Sequence, residues 1–313
     1  MSPKINPTGQ WRRIFVSHRT LLIALLIFGL SMTCLMASGS SQVSSPSKAK
    51  AAASLLPSSW QAKVEGKGVF KLVYVPVKDK KFAHIEKVVK DSKLFETLID
   101  ISNKELILPV DLTVVFRECN GTDENGEKED PTNAWYSSND HSLTMCYGLV
   151  QQSEDLFKDD EKSEEELEDA VLNSTAWTFY HELGHALIDI YKIAHTGKEE
   201  DAADELSTFI LITEGGDAGE KAALDGAENF YREASDDNDL NEEQFADVHS
   251  LDKQRFYNII CLVYGSNTKK YEYLTEGKDP ILPEGRAEDC EHEYERVTKA
   301  WTNILGPHLK PNK

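Results

Sequence analysis

Basic residues are scarce relative to acidic ones: 34 Lys and Arg stand against 54 Asp and Glu, a net charge of −20. The deficit is uneven along the chain. Residues 1–50 hold six of the basic residues (Lys4, Arg12, Arg13, Arg19, Lys48 and Lys50) and no Asp or Glu, which leaves 28 basic residues against all 54 acidic ones in the rest. So acidic a body repels phosphate backbones and anionic membrane surfaces, which excludes nucleic acid as a partner. It suits cationic substrates, and equally a merely well-solvated surface. Cysteine is sparse too, with five residues and no CxxC pair, so a finger-type zinc clamp is excluded. Internal repeats are absent. The acidic run Asp236–Glu243 (DDNDLNEE) lacks the glycine and the closing glutamate of an EF-hand loop, and reads as a solvated loop.

Long apolar runs are missing except for one, Leu21–Leu30, preceded by Arg12, Arg13 and Arg19 and followed by small residues from Ala37 to Ser45. That order is the n-region, h-region and small-residue tail of a secretory signal. There is no clean A-x-A site, and Ser31-Met32-Thr33 is a poor approach to a lipidated Cys34. Extended to Ala37, the run reaches about 17 residues, near the short end of a membrane span. Residues 1–37 are therefore read as a signal peptide or a membrane anchor, with residues 21–37 as the tether in the second case. Residues 38–59, rich in Ser, Ala, Lys and Pro, read as a disordered linker. Residues 60–313 are left as the folded domain, exported to the periplasm or the extracellular space. The four cysteines beyond Cys34 suit an oxidising compartment, and their distribution favours disulfides Cys119–Cys146 and Cys261–Cys290, one in each half.

Within the domain, Phe70–Pro76 (FKLVYVP), Asp111–Arg117 (DLTVVFR) and His141–Leu149 (HSLTMCYGL) carry the β-branched and apolar content of strands. Phe82, Ile85, Val89, Phe95 and Leu98 predict one helix over Phe82–Ile99. Gly121–Thr132, with Asn-Gly and a proline, reads as a loop. From about Ser163 the pattern turns helical: Glu164–Glu168 form an acidic first turn, and Val171, Trp177, Tyr180, Leu183, Leu187 and Ile190 cover one face. Glu199–Thr213 is a second helix, residues 215–245 a helix with a loop, Gln254–Tyr264 a buried segment, and Cys290–Leu305 a last amphipathic helix closed by Gly306-Pro307. Strands first and helices after predict an α+β domain, zincin-like, with a small N-terminal sheet and a mostly helical half.

That helical half carries His181-Glu182-Leu183-Gly184-His185 (HELGH). On a helix, residues i and i+4 share a face, so both imidazoles can reach one metal ion, which points to Zn2+. Glu182 is turned away from them and can contact a water in the ion's open position, whose proton it takes as general base. The competing reading is two surface histidines and a solvated glutamate. A third protein ligand is required, and Glu199-Glu200-Asp201-Ala202-Ala203-Asp204-Glu205 supplies candidates. Glu200 and Asp204 share a face at i, i+4, so one can ligate while the other orients a histidine; Asp201 and Asp204 stay open as alternative ligands. For the oxyanion of a tetrahedral intermediate, His249 and Tyr257 are candidate catalytic donors, against the plainer roles of a helix cap and a core ring. Arg255 holds either a substrate carboxylate or a structural aspartate.

The stretches RECNG with PTNAWY (117–121, 131–136), LTMCY (143–147), FYHELGHALIDI (179–190), GKEEDAADELST (197–208), HSLDKQRFYNIICLVYG (249–265) and LPEGRAEDCEHEYERV with TKAWTNIL (282–305) resemble a bacterial family of unknown function whose members are described as zinc metallopeptidases. The resemblance spans roughly residues 70–310. It is similar to the gluzincin type, which implies His181, His185 and Glu200 as zinc ligands and Glu182 as base. One departure is the charged insertion between Cys119 and Pro131. The expected activity is hydrolysis of a peptide or protein substrate, with a substrate strand pairing at a sheet edge, for which His141–Leu149 is the candidate. Two other readings keep the same metal site: a non-catalytic zinc-binding envelope protein on a zincin scaffold, and a zinc amidase acting on cell-wall peptide.

Overall fold

In the computed structural model, residues 66–311 are described apart from 123–125, 127, 159–162 and 235–239. The signal-or-anchor segment 1–37, the linker 38–59 and much of the Asp236–Glu243 run lie outside the described residues. Four strands form one mixed sheet: β1 (Phe70–Tyr74), β2 (Leu112–Arg117), β3 (Ala134–Ser137) and β4 (Ser142–Cys146), in the order β1-β2-β4-β3. β1, β2 and β4 run parallel, and β3 runs antiparallel along the β4 edge. The alternation in β2 explains its placement. Leu112, Val114 and Phe116 are fully buried on one face, while Thr113, Val115 and Arg117 are half-covered on the other. Phe116 meets Phe95 at 4.6 Å and Tyr147 at 6.2 Å between ring centroids, which joins the sheet to the helices.

Three sequence expectations are corrected here. The single helix over Phe82–Ile99 is two, α1 (Ala83–Asp91) and α2 (Leu94–Glu105), because Lys93 adopts a left-handed φ of 55°. The break resets the helical phase, so that Ile85, Val88 and Val89 and then Phe95, Leu98 and Ile99 all face the core. The strand expected over His141–Leu149 stops at Cys146, where α3 (Tyr147–Phe157) begins without an intervening loop. Gly148 permits that junction: a Cβ there would lie 2.1 Å from the Pro131 carbonyl oxygen. Finally, β4 is interior and not an edge, since it pairs with β2 on one side and β3 on the other. The edge strands are β1 and β3, and β3 falls just after the loop expected over Gly121–Thr132, where the sequence reading placed no element.

The helical half comprises α4 (Glu164–Tyr191), α5 (Glu199–Glu214), α6 (Gly216–Glu233), the short α7 (Glu242–Ala246), α8 (Asp252–Ser266), the short α9 (Glu284–Ala287) and α10 (Cys290–Leu305). α4 starts at a capping box in which Ser163 Oγ accepts from the Glu166 N–H and the Glu166 carboxylate accepts from the Ser163 N–H. From Ser174 to Ile188 it is buried nearly all round and not along one stripe, because α3, α5, α6 and the sheet wrap it. Its last turn closes on Lys192 in the left-handed conformation, and α5 returns alongside. The two helices touch at Gly184, where a Cβ would lie 3.0 Å from Ala203 Cα. Disulfides join Cys119 to Cys146 and Cys261 to Cys290, with Cα atoms 5.5 and 5.0 Å apart. Among the described residues no helix is long and apolar enough to cross a membrane.

Candidate metal centre

α4 and α5 bring three donor atoms into a triangle. His181 Nε2, His185 Nε2 and Glu200 Oε2 are each 3.2 Å from the other two. A tetrahedral ion with bonds of about 2.0 Å places its ligand atoms about 3.3 Å apart, so the triangle has the size that one such ion requires. The far nitrogens of both rings face carboxylates: His181 Nδ1 lies 2.7 Å from Asp204 Oδ1, at ion-pair distance, and His185 Nδ1 is hydrogen-bonded with Glu199 Oε1 at 2.8 Å. Carboxylates at those positions fix the ring planes and keep the inner nitrogens turned toward a metal. Asp204 is itself gripped by Arg255, whose Nε and Nη2 donate to its two oxygens at 2.8 and 2.7 Å. That settles Arg255 as the partner of a structural aspartate. Its guanidinium also lies over the Phe230 ring at 4.0 Å.

Electrostatics reinforce the cluster. Burial disfavours the charged form of His181, but the Asp204 and Glu200 carboxylates outweigh it and hold the imidazole up at about 9. Burial opposes ionisation of Glu200, yet His181, His185 and His249 together push its carboxyl far below the ordinary range. Asp204 moves down for the same kind of reason, with burial overcome by Arg255 and His181. A metal ion would replace the shared protons in balancing this charge.

Glu182 is buried beside the triangle, its Oε1 4.0 Å from His181 Nε2. Burial raises its carboxyl, and the charges on His181 and His185 pull it back. His249 joins the cluster from the loop before α8: Nε2 lies 3.0 Å from Glu200 Oε2, and Nδ1 lies 3.0 Å from Asp247 Oδ1. His181, Glu200 and His249 offer donor atoms within 4.8 Å of one another, a second set that could hold a metal ion. Lys198 pins this loop by donating to the Asp247 and His249 carbonyls. Tyr257 is not brought to the centre. It packs edge-on against Phe256 and lines an adjoining depression with Gln254, Asn258 and Arg286. Asp201 also points elsewhere, accepting from Ser250 Oγ. Sequence reasoning missed Glu199 and Asp247 as partners of the histidines; only their nearness to Glu200 and His249 in the chain hinted at them.

His181 and Glu182 open on a cleft of about 360 Å³, lined also by His249 and Trp177 together with Asn133 and Ala134 at β3. A family model described as "Putative metallopeptidase" matches residues 74–305. The chain belongs to this family. The match takes in the whole sheet after β1 and every helix that builds the centre. No curated protein and no solved structure matches the chain.

Proposed function

We propose that this protein is a zinc-dependent metallopeptidase that hydrolyses peptide bonds outside the cytoplasm, with Glu182 as general base. The observation that carries the reading is the triangle of His181, His185 and Glu200 with Glu182 beside it at the cleft. Two imidazoles and one carboxylate are the donor set of a hydrolytic zinc site with a position left open. Bound there, zinc would supply Lewis acidity toward the carbonyl and lower the pKa of a water molecule. Glu182 takes a proton from the attacking water and passes it to the leaving amine. His249, oriented by Asp247, donates to the oxygen on which negative charge grows. Asp204 and Glu199 hold the ligand rings without touching substrate. An extended substrate adds to the open edge of β3, which Asn133 and Ala134 bring to the cleft.

The two disulfides support an oxidising compartment, with residues 1–37 as export signal or anchor, 38–59 as linker and 60–313 as the peptidase domain. The test is Glu182→Gln in zinc-loaded protein. Hydrolysis of a mixed peptide pool should fall by about 10²–10⁴ with bound zinc unchanged. A zinc-loaded wild type that cuts no peptide, or a Glu182→Gln protein that cuts normally, would overturn the reading.

A further inference from the structure

The cleft holds a second group of polar side chains that the hydrolytic chemistry does not use. Glu233, Asp252 and Asn229 line it beyond His181 and Glu182. Glu233 is placed at three disadvantages. It is half-buried; it is the last residue of α6, where the helix dipole opposes a negative charge; and it makes no ion pair among the described residues. Its carboxyl is pushed up to about 7, first by burial and then by the charge of Asp252, with Asn229 and Arg255 pulling the other way. Asp252 is likewise half-buried and unpaired among the described residues, and burial raises its carboxyl. Arg255, the cation that lines the same cleft, is committed to both oxygens of Asp204. Asn229 is 9% exposed, its amide donates to Glu233, and its buried Oδ1 has no donor. An orphaned buried acceptor costs stability, as does an unpaired buried carboxylate, and a functional cleft is where such costs are retained.

We infer that Glu233, Asp252 and Asn229 form a specificity site for a basic side chain, lysine or arginine, of the peptide substrate. The site offers acceptors where an ammonium or guanidinium group brings donors. The inference rests on the peptidase reading for the identity of the ligand as a peptide, so its test separates binding from hydrolysis. An alanine heptapeptide blocked at both ends, carrying arginine, lysine, glutamate or norleucine at its centre, is titrated into zinc-loaded Glu182→Gln protein.

The arginine or lysine peptide should bind about tenfold or more tightly than the norleucine one. The preference should collapse when Glu233→Gln is added, and Glu233→Lys should turn it toward the glutamate peptide. Should Glu233→Gln fail to fold, Asp252→Asn asks the same question. Equal binding of all four peptides, or a basic preference untouched by the Glu233 and Asp252 changes, would overturn the inference. If the basic preference is present but the wild type cuts none of the peptides, the site stands and the peptidase reading falls.

Discussion

Removing the charge of Glu233 should stabilise the protein, increasingly as pH rises from about 4.5 to 7 and fully above that. Its carboxyl is raised from 4.5 to about 7 in the folded state by burial beside Asp252. Below about pH 4.5 the group is protonated whether the chain is folded or not, and nothing is lost. Between about 4.5 and 7 the unfolded chain has released this proton while the folded protein keeps it, so stability falls across that window, and above 7 the full cost is present. The full shift is worth about 3.5 kcal/mol at about 1.4 kcal/mol per unit; Glu233 is only half-buried, and screening by water leaves about 1.5 kcal/mol. For a domain of this size that is a melting shift of roughly 3–6 °C. Thermal scans of wild type and Glu233→Gln, each with and without zinc, should agree at about pH 4 and separate at about pH 8 with the variant higher. Equal melting at pH 8, or a variant that melts lower there, would refute the claim that Glu233 is an unpaired, disfavoured carboxylate. Stability gained together with a loss of basic-peptide binding is the trade expected of a functional group.

Three further outcomes follow from the same contacts. Asp204→Asn should weaken metal binding by about 10–100-fold, measured by competition with a chromophoric chelator, because His181 loses its orienting carboxylate. Replacing both Cys119 and Cys146 by alanine opens a loop of 27 residues and should cost about 3.5 kcal/mol in denaturant titration, and the Cys261–Cys290 pair a similar amount. Gly184→Ala forces α4 and α5 apart where the new Cβ meets Ala203 Cα at 3.0 Å. It should destabilise by about 1–3 kcal/mol and weaken metal binding, since the histidines and Glu200 ride on the two separated helices.

The parts of the site that were legible in the sequence are those fixed by a single helix. His181 and His185 share a face at i, i+4 wherever a helix forms, and Ser163 with its acidic first turn announced that helix correctly. Glu200 and Asp204 were legible for the same reason, one helix later, and the cysteine pairs followed from their even distribution. The α+β order was legible because strand-like and helical periodicities occupy separate halves. What stayed hidden depends on contacts distant in sequence. Asn229 and Glu233 from α6 and Asp252 from α8 meet only across the cleft. Arg255 chose Asp204 over a substrate for reasons that no local pattern encodes. The break at Lys93 carries no glycine or proline, and β4 passes into α3 with only Gly148 to mark the junction, whose role depends on the distant Pro131 carbonyl. β3 has four residues and owes its existence to β4 beside it.

The central claim is that one metal ion belongs between His181, His185 and Glu200, and metal content tests it most directly. Purified protein exposed to zinc and dialysed should retain about one zinc per chain. Glu200→Ala, folded with both disulfides intact, should retain far less, because two imidazoles are left to hold the ion. A folded wild type that keeps no zinc, or a Glu200→Ala protein that keeps as much as wild type, would contradict the account.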